Sequence, residues 1–196
     1  MSEATTLNLQ GKLELEFNMT QEQFMELCEN HRNLKFERSA NGHLIIMTPT
    51  GGITSDRNAD LTYQLRAWNR RMKLGKTFDS SGGFKLPNGA DRSPDASWVK
   101  LERWNSLTPE QQEQFVPLCP DFVVELRSKS DRVSELQEKM REYMNNGAVL
   151  GWLIDPQRKV VEIYRPQQEV EILTNPSTVS GEDILPEFVL DLAEIF

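Results

Sequence analysis

Histidine and cysteine are nearly missing from this 196-residue chain, which has two of each. Two cysteines, Cys28 and Cys119, cannot build a disulfide framework or a thiolate metal knuckle, and they read as buried thiols of a reducing cytoplasm. Two histidines leave little material for a zinc hydrolase or a His-based triad. His31 continues an apolar helical stripe and His43 follows a turn, so both read as structural. Apolar stretches such as LIIM (44–47) and FVV (122–124) fall far short of the ~20 residues of a membrane span. The opening MSEATTLNLQ has neither the basic start nor the apolar stretch of a secretory signal. Gly51-Gly52 and Gly82-Gly83 lack the spacing of a phosphate loop, and no Gly-x-Ser-x-Gly elbow occurs. A cytoplasmic protein with no membrane partner is expected, and carboxylates and lysines are what remain for catalysis.

What is present suits one domain with a core large enough to need no staple. Residues 1–19 read as an N-terminal segment and 20–196 as the domain. The net charge of −8 is unevenly placed: from Val160 to Phe196, Arg165 stands alone against eight acids. Arg66, Arg70, Arg71, Lys73 and Lys76 form a basic cluster with no acid between them. Such a cluster ends many helices, where cations suit the dipole, and it is equally compatible with a nucleic-acid backbone.

The periodicities give a mixed order of elements. Thr20-x-x-Gln23 has the form of a capping box that opens a helix. LKFERS and HLIIMTP flank Asn41-Gly42, a dipeptide suited to a tight hairpin. A helix is expected over roughly Ser55–Leu74, with Leu61, Leu65, Trp68 and Met72 as its stripe and Gly75 as its stop. Strands are expected at 76–80, 83–86, 95–100, 120–128 and 149–155, then at KVVEIYR and EVEIL. A short helix falls at TPEQQEQF, one at 131–146, and another near the C-terminus. Trp68, Trp98 and Trp152 read as core. This order implies an α/β or α+β fold with one layer of sheet.

Three features carry the chemistry. In SPDASWV, Pro94 fixes the direction in which Asp95 leaves the start of a strand. In PDFVVELRS, period-two alternation places Asp121, Val123, Glu125 and Arg127 on one face, so Glu125 is a carboxylate inside a strongly apolar strand. Burying it is costly unless a cation or donors meet it. In DRVSELQEKMREYMNN, Val133, Leu136, Met140, Tyr143 and Met144 form one face, with Lys139 at its margin and Glu135, Glu138 and Glu142 pointing outward. Lys139 can therefore reach back to the preceding strand. Two acids holding a divalent ion beside a lysine are a known solution to phosphodiester hydrolysis, and Mg²⁺ suits such a carboxylate pair.

SPDASWV, the PDFVVELRSKSDRVSELQEKMREYMNNGAVLGWLIDP run and VVEIYRP, with MTPTGG and RNADLTYQLRAWNRR upstream, together resemble the Uma-type (Uma-two) family of bacterial endonucleases in the PD-(D/E)XK superfamily. The resemblance spans about residues 20–166. It implies a restriction-endonuclease-like α/β core, a mixed central β-sheet flanked by helices, with an N-terminal helix and β-hairpin added. It also implies Asp95 and Glu125 as ligands of Mg²⁺ (or Mn²⁺ in its place), and nucleic acid, most simply DNA, as substrate. The superfamily's lysine normally stands two residues after the second acid, where this chain has Arg127, which is not an interchangeable replacement. Lys139 would substitute for it in space. Asp60 is the nearest candidate for an added helical acid, and Asp121 is a rival ligand with a competing strand-end role. Two alternatives stay open: a catalytically inactive binding module on the nuclease fold, and a metal-dependent hydrolase of smaller phosphoesters. A homodimer is compatible with cutting two strands.

Overall fold

The computed structural model describes residues 13–16, 19–31, 34–47 and 49–196. Residues 1–12, most of the N-terminal segment set apart above, lie outside the described residues.

The chain opens with β1 (Leu13–Leu15) and α1 (Gln21–Asn30), followed by the hairpin β2 (Lys35–Arg38) and β3 (Leu44–Met47). The long α2 (Gly52–Met72) precedes β4 (Gly75–Asp79), β5 (Phe84–Lys85), β6 (Asp91–Arg92) and β7 (Ala96–Lys100). Two one-turn helices, α3 (Leu101–Asn105) and α4 (Pro109–Glu113), lead to β8 (Phe122–Leu126). Then come α5 (Val133–Asn145), β9 (Leu150–Asp155), β10 (Val160–Tyr164) and β11 (Glu171–Thr174), and the chain closes with β12 (Thr178–Ser180) and β13 (Val189–Asp191).

Local chemistry explains the main boundaries. Thr20 and Gln23 cap α1 reciprocally, at 3.3 and 3.0 Å. In the hairpin turn only Gly42 takes a positive φ, 84°. The Asn41-Gly42 pair therefore closes a longer loop from Ser39 to His43 and not the two-residue turn expected. His31 ends α1 in solvent, so the apolar stripe stops short of it. Helix α2 ends on Lys73, which adopts the left-handed conformation at φ 58°. Gly75 is not the stop: it begins β4, where an added Cβ would fall 2.2 Å from the Val99 carbonyl oxygen and 2.4 Å from the Trp98 ring. Asn69 brackets Gly75 with both ends of its amide, at 2.9 and 3.1 Å.

The central six-stranded sheet has the order β11-β10-β9-β8-β7-β4, and only β8 and β9, joined through α5, run parallel. Phe122, Val124 and Leu126 face α2 and pack with Leu61, Leu65, Trp68 and Trp152. Val123 faces α5 and packs with Met140, Tyr143 and Leu153. Each fully buried side chain of this size contributes about 1.5–3 kcal/mol. The structure is not one layer of sheet: an antiparallel five-stranded sheet, β1-β3-β2-β6-β5, stands beside the first with a small core of Phe24, Phe36 and Leu44. Among the described residues the expected helix near the C-terminus is also absent. The acidic tail forms the β12-β13 ribbon, with left-handed residues at Glu182 and Glu187, and its Val179, Phe188, Leu190 and Ile195 cover the core on the α2 side.

Candidate active site

The register of β7 on β8 pairs Ala96 with Val124. Continued by one residue, it sets Asp95 opposite Glu125, on the face covered by α5. Cross-strand neighbours of this kind have Cβ atoms about 5 Å apart. Both carboxylates open into a cavity of about 1150 Å³, whose wall also includes Glu37, Lys35, Arg92 and Lys139.

Lys139 does reach back to the strand before it. Its Nζ lies 2.8 Å from Oε1 of Glu125, and also 2.8 Å from Oε1 of Glu37. One turn further along α5, the Tyr143 hydroxyl donates to the same Glu125 Oε1 at 2.9 Å. Oε2 of Glu125 has no hydrogen-bond partner among the described residues. Asp95 accepts from the Leu126 amide at 2.8 Å and, at 3.4 Å, from Nδ2 of Asn58 on α2. Oδ1 of that asparagine is buried without a partner.

Glu37 is the site residue that sequence reasoning missed. It is 2% exposed and comes from the five-stranded sheet. Its Oε1 also accepts from the Ser93 amide at 2.9 Å, and its Oε2 lies 3.2 Å from Arg92, which is anchored in turn by Glu142 at 2.6 Å. Glu142 therefore turns inward, against the outward direction expected for it.

The electrostatics are asymmetric. Burial pushes Glu37 up, but Lys139, Arg92 and Lys35 outweigh it and hold its carboxyl at about 2. Burial pushes Glu125 up too, and Lys139 opposes this while Asp95 and Glu37 add to it, leaving the carboxyl at about 7. Asp95 is raised by burial despite Lys35 and the Leu126 amide. Lys139 is penalised by burial but raised by its two carboxylates. Glu37 thus has cations of its own, whereas Glu125 shares its one lysine.

Other expected residues go elsewhere. Arg127 pairs with Asp155 at 2.9 Å, and Asp121 with Arg103 at 2.9 Å while it accepts from the Lys100 amide. The strand-end role of Asp121 is the one it fills. Asp60 accepts from Gln64 at 2.7 Å and is not part of the cavity wall. The basic cluster sits at the end of α2 away from the cavity. The helix has 21 residues, which at 1.5 Å each is roughly 30 Å.

A sequence model of the Uma2 family, described as "Putative restriction endonuclease", matches residues 21–193. The chain belongs to the Uma2 family. The structure is also similar to the crystal structure of "a putative nuclease belonging to DUF820" from Anabaena variabilis, with a TM-score of 0.74 and 22% identity over 91% of this chain and 97% of that chain. The two share their fold, and the restriction-endonuclease-like core expected from the sequence is the architecture found. No curated protein matches the chain. In this Uma2 chain no helix among the described residues is long and apolar enough to cross a membrane.

The donor set fits a hard divalent ion. Among the described residues no group of three or more acid, histidine or cysteine side chains forms a ready-made metal cage, whereas Mg²⁺ commonly takes one or two carboxylates and completes its shell with water. The cavity wall carries eight acids against five cations, and burial, with Asp95 and Glu37 adding to it, raises Glu125 despite Lys139.

Proposed function

We propose that this chain is a Mg²⁺-dependent endonuclease that hydrolyses phosphodiester bonds of DNA, with Asp95 and Glu125 as the metal ligands and Lys139 as the cation beside the reacting phosphate. One observation carries the reading: on one cavity, Lys139 Nζ stands 2.8 Å from Glu125, and Glu125 is the register neighbour of Asp95. Membership of a family described as "Putative restriction endonuclease" supports the same chemistry.

The bound ion would supply polarisation of a phosphoryl oxygen and acidification of a water. The chain's own groups do the rest. Asp95 is fixed by the Leu126 amide, so its direction does not depend on the ligand. Glu125 is held through Oε1, which leaves Oε2 for the ion. Lys139, kept charged by two carboxylates, can orient the attacking water or offset charge that develops on the phosphate. Preorganised charge in a partly desolvated site is where such stabilisation is largest.

The test is plasmid nicking with Mg²⁺ or Mn²⁺, comparing wild type with Asp95→Ala. Wild type should nick, and loss of a ligand carboxylate should cost on the order of a hundredfold or more in rate. Failure of wild type to nick with either ion, or equal nicking by Asp95→Ala, would overturn the assignment.

A further inference from the structure

We propose that Glu37 is the positioning residue for Lys139, tethering its ammonium through a second carboxylate so that it stays in the site when a divalent cation takes Glu125. This rests on the reading of Asp95 and Glu125 as cation ligands.

A lysine 2.8 Å from a ligand carboxylate has a difficulty of its own. A divalent ion on that carboxylate withdraws the negative charge that holds the lysine and repels the ammonium directly. A lysine with a single carboxylate partner would either keep the ion out or be driven into solvent. Glu37 removes the conflict by giving Lys139 a second partner at the same 2.8 Å distance.

Glu37 is suited to hold and not to ligate. Its Oε1 accepts from Lys139 and from the Ser93 amide, and its Oε2 faces Arg92. It is 2% exposed. Each oxygen is already engaged, unlike Oε2 of Glu125. Arg92 cannot drift either, because Glu142 grips its Nε at 2.6 Å. The tether also has a rigid root: Glu37 is centred in β2, paired to Ile45 of β3. Groups that orient the residues around a metal typically change affinity or activity by 10–100-fold when removed.

The experiment follows the Lys139 ammonium signal by NMR in ¹⁵N-lysine-labelled full-length protein, assigned by its disappearance in Lys139→Arg. Wild type should keep a slowly exchanging signal with and without millimolar Mg²⁺. In Glu37→Gln, ammonium exchange should be faster without Mg²⁺, and the signal should vanish when Mg²⁺ is added. A Glu37→Gln protein that keeps the wild-type signal in both conditions overturns the tether. Calorimetry with Mn²⁺ supplies the second reading: a Kd raised by no more than about 100-fold fits a group that orients without ligating, whereas abolished Mn²⁺ binding makes Glu37 a ligand and overturns the proposal. If Mn²⁺ does not bind wild type, the metal reading fails, and the exchange comparison without Mg²⁺ still decides whether Glu37 holds Lys139. Should Glu37→Gln not fold, Glu37→Asp keeps the charge but retracts it by one methylene, and the same pair of readings applies.

Discussion

Lys139 and Tyr143, one turn apart on α5, converge on a single oxygen of Glu125, at 2.8 and 2.9 Å. Two donors on Oε1 fix the rotation of the carboxylate. Tyr143→Phe removes one donor without changing the packed volume. Net stability should fall by about 1.5–3 kcal/mol, the worth of a hydrogen bond to a charged group. Mn²⁺ affinity should fall about three- to tenfold as Glu125 gains freedom, toward the lower end of what orienting groups contribute. Calorimetry checks both, and an unchanged Kd would mean that the tyrosine serves packing alone.

Arg127 stands where the superfamily's lysine is usual, yet it pairs with Asp155 and reaches the Asp131 carbonyl. Arg127→Met should therefore lower the melting temperature, because it strands an almost fully buried Asp155 beside the partly exposed Arg158. The rate of DNA nicking per folded molecule should stay within about twofold, since no group that meets the phosphate is removed. A large fall in kcat with unchanged stability would put Arg127 back into the chemistry.

Gly75→Ala should be among the most damaging single changes. The added methyl would meet a backbone oxygen at 2.2 Å, which no rotamer can relieve, so a loss above about 3 kcal/mol is expected. Gly147 offers a control. Its φ is 108° but the space around its missing Cβ is open, so Gly147→Ala should cost only about 1–2 kcal/mol of backbone strain. Urea titrations of the two variants compare crowding with strain, and a milder Gly75→Ala would reverse the ranking.

The thiols should be slow to react in the native protein. Burial pushes Cys28 up to about 11 and Cys119 up to about 12. At pH 8 the reactive thiolate is scarce in both, and its share grows as pH rises toward those values. Iodoacetamide labelling followed by mass spectrometry should show Cys28, which is half-buried, modified before Cys119, with both rates rising from pH 8 to 10. Rapid labelling at pH 7 would contradict this.

Most of the large sheet could be read from the sequence because its signals are local. FVVEL, LGWLI and VVEIY are short β-branched or aromatic runs between turn residues, and the helix between the first two has a single apolar face. That Asp95 and Glu125 share one site came from the family resemblance, and the reach of Lys139 from helical angles; the register that sets the two acids side by side needed the fold. Glu37 was hidden for a physical reason. KFER alternates charge with apolar or charged residues, a pattern that suits a solvent-facing hairpin, and three of its four residues are buried only because a second sheet docks there. The C-terminal ribbon was missed for a similar reason. VLD alternates exposed, buried and exposed side chains over just three residues, too short a window to separate a strand from a helical turn.

Glu37 and Lys139 are separated by 102 positions along the polypeptide, and their elements pack into different hydrophobic clusters. A growing chain cannot bring them together until the hairpin near its start has waited for α5 to leave the ribosome. A half-synthesised copy would lack the cation that Glu37 and Glu125 share, so the pocket is completed only in the finished protein.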